Sequence, residues 1–252
     1  MTACLAAVVV SPTWLVTSAI IVVAGLVVLL LERALPYRRD WKPTRRDWVQ
    51  GLAYVVASSA IAGGLQALLT RGEPVAMSLG ERAAWIVGGL LVMDAASYLV
   101  HRVLHRTRLL WPVHAVHHGL PRVWFLNALH NHVLDIALST GLALLPLYAL
   151  GFPPEVVGAV GALTVAHAWF QHANADLRLG WLNRVIAGPE LHRWHHSINR
   201  EESDANYGFV FAIWDVLLGT WRAPGTPAQI GVRGAPPMDT LVEQAIAPFR
   251  GR

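Results

Sequence analysis

The sequence has a single cysteine, Cys4, among its 252 residues. That excludes an internal disulfide and every CxxC-based zinc, haem or iron–sulfur site. Charge is scarce as well. Asp, Glu, Lys and Arg make up 14% of the chain, where a soluble domain carries about a quarter. Apolar residues reach 54%, and the mean hydropathy is positive, so lipid is the expected solvent for much of the chain. The net charge of +4 is modest and clusters beside apolar runs, which speaks against a nucleic-acid ligand. No HExxH motif occurs, so the water-activating arrangement of a zinc hydrolase is missing. No Lys or Arg precedes the first apolar run and no small-residue cleavage site is evident. That run is expected to be a retained anchor, with Cys4 a small apolar residue ahead of it.

What is present is a series of apolar runs. Residues 13–31 contain no charge, and at 1.5 Å per residue they nearly cross the ~30 Å hydrocarbon core. Residues 48–69 and 83–100 follow, the latter interrupted only by Asp94. Residues 133–150 and 155–170 are shorter and flank Gly151-Phe152-Pro153-Pro154, a natural turn. The expected fold is an all-α integral membrane bundle of four to five spanning or hairpin helices with a helical cap. Residues 1–82 would be membrane helices and a basic loop, and residues 83–252 the catalytic region. Six basic residues follow the first run (Arg33, Arg38, Arg39, Lys42, Arg45, Arg46) and two follow the second (Arg71, Arg82). The positive-inside bias therefore puts the first loop, and with it every histidine, on the cytoplasmic side. Trp14, Trp48, Trp85 and Trp111 lie near run ends and read as interface anchors.

All twelve histidines fall at or after residue 101. His101 and His105 are four apart, and His114, His117, His118 and His192, His195, His196 form two HxxHH motifs. Residues three and four apart share a helix face, so three helical segments each offer a cluster of imidazoles. Neutral imidazole suits iron, zinc and copper. Eight such ligands exceed the three or four that one zinc site takes and point to two ions. His172, just past an apolar run, and His132, at the start of one, are counted with the ligands. His167 and His172 are about 140° apart on a helix, so His167, like His130, is assigned to packing. Asp94, Glu190 and Asn206 are taken as catalytic groups, with Asp204, that orient imidazoles through their other ring nitrogen. Asp94 is singled out because an ionisable residue inside an apolar span is costly.

With these motifs in place, the chain resembles the fatty acid hydroxylase/sterol desaturase superfamily of membrane di-iron enzymes. The resemblance covers about residues 83–250. It rests on Asp94-x3-Tyr98-x2-His101-Arg102-x2-His105, Trp111-x2-His114-x2-His117-His118, Phe170-Gln171-His172-x-Asn174, Pro189-Glu190-x-His192-x2-His195-His196, Asn206-Tyr207-Gly208 and Trp214-Asp215-x3-Gly219-Thr220. It implies two iron ions on the eight motif histidines, with His172 as a further ligand. It also implies O2 as co-substrate, and hydroxylation or desaturation of an unactivated C–H bond in a lipid or sterol-like compound. Relatives commonly place proline after the histidine that matches His132, where this chain has Val133. No cytochrome b5-like or ferredoxin-like segment is visible, so a separate electron donor of one of those types is expected. A metal transporter would place its ligands at mid-membrane depth, whereas these motifs lie at run ends.

Overall fold

A computed structural model describes residues 12–69, 75–235 and 238–250, with the side chains of residues 12–14 left aside. Cys4, Arg71 and the Trp14 side chain thus lie outside the described residues. Among the described residues, ten α-helices carry the fold: α1 Pro12–Ala34, α2 Arg45–Leu69, α3 Leu79–Arg106, α4 Trp111–His118, α5 Val133–Ala149, α6 Pro154–Gln171, α7 Pro189–His195, α8 Arg200–Ser203, α9 Ile213–Leu217 and α10 Leu241–Ile246. Among the described residues, β-pairing is limited to isolated bridges such as Ile186 with Phe211.

Helix boundaries follow local chemistry. α3 starts at a capping box, in which Ser78 Oγ accepts from Glu81 N–H at 3.3 Å and Glu81 Oε2 accepts from Ser78 N–H at 2.9 Å. A tight turn joins α5 to α6, and both pack against α3. Gly151 turns the chain at φ 74, which a side chain resists, and Pro154 opens α6 at a position where no N–H is missed.

Among the described residues, three helices, α1 from Leu15 on, α2 and α3, are long and apolar enough to cross a membrane. α5 has 17 residues, about 25 Å, and packs against α2 and α3. The outward faces are apolar, with Val22, Leu30, Val56, Val87 and Leu99 all more than half exposed. Such a belt is unsuited to water but matches lipid, and the chain is an integral membrane protein. Close helix approach depends on glycine at one point in particular. A Cβ on Gly25 would lie 2.8 Å from Trp169 Cζ3, so only glycine lets α1 seat on α6 there.

One end of the bundle gathers the polar chain. Glu32, buried near the end of α1, accepts from Phe125 N–H at 2.8 Å and Asn174 N–H at 2.9 Å. Asp47 at the start of α2 pairs with Arg122. These bonds draw the ends of α1, α2 and α6 and the loop after α4 to the same level. Two of the expected tryptophan anchors are packed inward at this end. Trp48 meets Trp124 edge-on at 4.9 Å, and Trp111 is buried against His105 and His118 at 5.0 and 5.5 Å. Their apolar rings find more contact beneath the cap than at the lipid boundary.

Candidate metal centre

The buried end of the bundle assembles nine imidazoles into two groups. His101, His105, His114, His118 and His195 form one, and His117, His172, His192 and His196 form the other. In each group one ring nitrogen per residue lies within 4.8 Å of all the others. Each HxxHH helix feeds both groups: His117 and His118 part company, as do His195 and His196. Adjacent residues point about 100° apart on a helix, so one helix wedged between two sites can ligate both.

The outer nitrogens explain the inward aim of the rings. His101 Nδ1 faces Tyr207 O at 2.8 Å, His195 Nδ1 faces Ala205 O at 2.8 Å, and His172 Nδ1 faces Ala168 O at 3.0 Å. His117 Nδ1 turns toward His130 O at 3.4 Å. Two carboxylates do the same work, Asp204 on His105 Nδ1 at 3.1 Å and Asp135 on His114 Nδ1 at 2.7 Å. A carbonyl or carboxylate only accepts, so these Nδ1 atoms carry the proton and the Nε2 lone pairs point inward. There they face one another, His101 to His195 and His105 to His118 at 3.1 Å, and His172 to His192 at 2.8 Å. His114 Nε2 has no hydrogen-bond partner among the described residues. Bare lone pairs at such distances repel unless a cation lies between them. The donor set therefore fits a metal ion in each group.

Protonation does not relieve the repulsion. Burial first, and then the neighbouring imidazoles, hold His117, His118, His192 and His196 well below the ordinary histidine range. Burial alone brings His172 to about 3, and burial is the leading cause that brings His195 there. These six rings are neutral and free to ligate.

Several expected roles are corrected by geometry. His132 stands outside both groups. Its Nδ1 caps α5 by accepting from Leu134 N–H at 3.2 Å, and its Nε2 meets Ala245 O at 3.1 Å. Both nitrogens are already engaged. Asp94 touches no imidazole. It accepts from Val210 N–H at 2.7 Å, Phe211 N–H at 2.9 Å and Trp214 Nε1–H at 3.0 Å, pinning the chain before α9 to the middle of α3. Glu190 accepts from Leu179 N–H at 2.7 Å and Asn183 Nδ2–H at 2.6 Å, bracing the loop before α7. Asn206 sits at φ 55, and its Oδ1 accepts from Arg222 N–H at 2.8 Å. This places the loop whose Ala205 and Tyr207 carbonyls hold His195 and His101.

His130 is stacked on Tyr54 at 4.0 Å and bonded to Gln244 Oε1 at 3.1 Å. His167 likewise meets Ala187 O at 2.9 Å. Asp135 is the residue that sequence reasoning missed. It lies inside the apolar run 133–150, so the rule that singled out Asp94 also applies to it.

A cavity of about 780 Å³ opens onto the first group, walled by α2, α3, α5 and α6 and by His101 and His114. Pockets that hold small ligands run to roughly this size.

A family profile described as fatty acid hydroxylase matches residues 86–220. An ornithine lipid hydroxylase of Rhizobium tropici is 32% identical over 228 residues, covering 82% of this chain and 68% of that protein. An alkylglycerol monooxygenase of Homo sapiens is 32% identical over 142 residues, covering 56% of this chain and 32% of that protein. Its counterpart in Danio rerio is 31% identical over 131 residues, covering 52% and 29%. The chain thus spans about a third of the alkylglycerol monooxygenases it matches. No solved structure matches.

Proposed function

The chain belongs to the fatty acid hydroxylase family, and from that membership we propose that it is a membrane di-iron oxygenase acting on a bilayer lipid. One observation carries the reading. Nine buried imidazoles gathered into two groups share a wall, through His101 and His114, with a cavity inside the membrane bundle. When bound there, a pair of irons supplies O2 activation, with electrons from outside the chain, and insertion of oxygen into an unactivated C–H bond.

The chain's own residues do the rest. Tyr207 O, Ala205 O, Ala168 O, Asp204 and Asp135 fix the imidazole tautomers. His172 acts as the ninth ligand. Trp111 and Tyr207 close the site against water, with Tyr207 fully buried beside His101 and His105. The lipid reaches the metals from within the bilayer, through the cavity. The six-to-two bias of basic residues between the first two loops supports a cytoplasmic position for the site. A separate ferredoxin- or cytochrome b5-type protein delivers the electrons there.

Metal analysis of the purified protein, coupled to lipid mass spectrometry of cells with and without it, tests this. The expected result is about two irons per chain and a lipid gaining one oxygen atom, or losing two hydrogens if desaturation prevails. Iron content unchanged in a His117→Ala, His195→Ala variant would overturn the reading.

A further inference from the structure

His130 and His132 stand outside both groups, and one segment takes up both rings. His132 Nε2 donates to Ala245 O at 3.1 Å, and His130 Nε2 donates to Gln244 Oε1 at 3.1 Å. The segment lies beyond the family profile, which ends at residue 220. Most of α10 is exposed, but the Gln244 side chain is fully buried. Its amide is used to capacity. Oε1 accepts from His130 and from the Tyr54 hydroxyl at 3.0 Å, and Nε2 donates to Met238 O at 2.8 Å and Gln50 Oε1 at 3.3 Å. Two lone pairs and two N–H donors are all that an amide has. Gln244 divides them among α2, the loop after α4 and its own segment. A buried polar group satisfied at every position makes its surroundings rigid.

What the amide makes rigid bears on a ligand. The His130 ring is stacked on Tyr54 at 4.0 Å, and the His130 carbonyl faces His117 Nδ1 at 3.4 Å. The corresponding Nδ1 contacts of His101, His105, His114, His172 and His195 run from 2.7 to 3.1 Å. An N–H···O contact at about 3.6 Å ceases to be a hydrogen bond, so a drift of about 0.2 Å in the His130 main chain releases His117. The clamp on the ring opposes that drift, helped by Ser58 Oγ, which donates to Leu129 O at 3.2 Å. Resting on the di-iron reading above, we propose that Gln244 is a positioning residue for the second group: by holding His130 it keeps His117 aimed at the ion. Other anchors keep the segment in place without the amide. Asp239 pairs with Arg46 at 2.9 Å, its carbonyl accepts from Gln50 Nε2 at 2.7 Å, and Met238 packs where a Cβ on Gly119 would stand. Removing the amide therefore disturbs the position of His130 more than the fold.

Gln244→Met, close in shape but without the amide, tests this on the purified, iron-loaded full chain in detergent, with a competing chelator drawing off the ions. One ion is expected to bind about tenfold more weakly, the low end for loss of support to a ligand, while the other keeps its wild-type affinity. The loosened ion is the one that His172→Ala removes, so adding Gln244→Met to His172→Ala protein leaves the remaining affinity unchanged. His130→Ala keeps the carbonyl that His117 uses but removes the ring that Gln244 holds, and it loosens the same ion. Both substitutions act through one path, so the double variant binds no more weakly than His130→Ala alone; a merely structural role would make the losses add. Should Gln244→Met not fold, Gln244→Asn takes its place with the same outcomes expected, since its amide stops one carbon short of His130. Wild-type affinity for both ions, equal weakening of both, or additive losses overturn the proposal. A loosened second ion in a protein that yields no oxygenated lipid upholds the proposal and sinks the oxygenase reading.

Discussion

Asp135→Asn exchanges one oxygen for an NH2 group without changing the shape of the side chain, and its consequence can be worked from two bonds. Asp135 Oδ2 receives the His114 Nδ1 proton at 2.7 Å, and Oδ1 receives the Ser139 hydroxyl at 2.8 Å. Asparagine has one acceptor oxygen for these two donors. If the amide keeps Ser139, its NH2 faces His114 Nδ1, which must give up its proton to accept. The proton then moves to Nε2, the atom aimed at the metal group, and His114 can no longer ligate. If the amide keeps His114, a half-buried Ser139 donor loses its partner. Either way the imidazole is held less firmly. Loss of such an orienting partner lowers metal affinity by about 10–100-fold, or roughly 1.4–2.8 kcal/mol. The assay is iron titration of the purified variant against a competing chelator, with the iron spectrum recorded alongside. The expected variant releases one iron well before the other. Wild-type affinity for both ions would refute the assignment of Asp135 to His114.

Three further outcomes follow from the same geometry. Asp94→Ala leaves two backbone N–H groups and the Trp214 indole without their acceptor, at about 1–3 kcal/mol each if unrelieved. The segment 209–214 should loosen in hydrogen exchange, and the thermal midpoint should fall by several degrees; unchanged protection there would be contrary. His172→Ala reduces the second group from four imidazoles to three and should cost one iron in metal analysis, whereas His132→Ala should retain both, since His132 only caps α5. Loss of iron from the His132 variant would reverse that distinction. For pH, burial holds His130 at about 4, below its unfolded value of about 6.5. Between those values the unfolded chain binds the extra proton, so stability is full above about pH 6.5 and falls as pH drops toward 4. Denaturation of His130→Gln protein should show a shallower acid slope over that window, and an unaltered slope would count against it.

The candidate metal ligands were legible because helical spacing alone puts His101 and His105, and the members of each HxxHH motif, on shared faces. Apolar run length likewise announced α1, α2 and α3, since hydrocarbon thickness demands it whatever the packing. The supporting groups were not legible in that way. Asp94 and Asp135 carry the same sequence signal, a lone carboxylate in an apolar run. Yet one pins a loop 116 residues away and the other orients an imidazole 21 residues away, and no local rule separates them. Long-range packing also turned Trp48 and Trp111 inward, gave both nitrogens of His132 to the C-terminal segment, and split His117 from His118. The sequence by itself determined that this chain lives in lipid and gathers histidines at one end of its helices. Only the tertiary structure decided how nine of them divide between two groups, and that a cavity opens beside them. Those features depend on which helix ends meet, and contacts between distant segments are not encoded in spacing along any one of them.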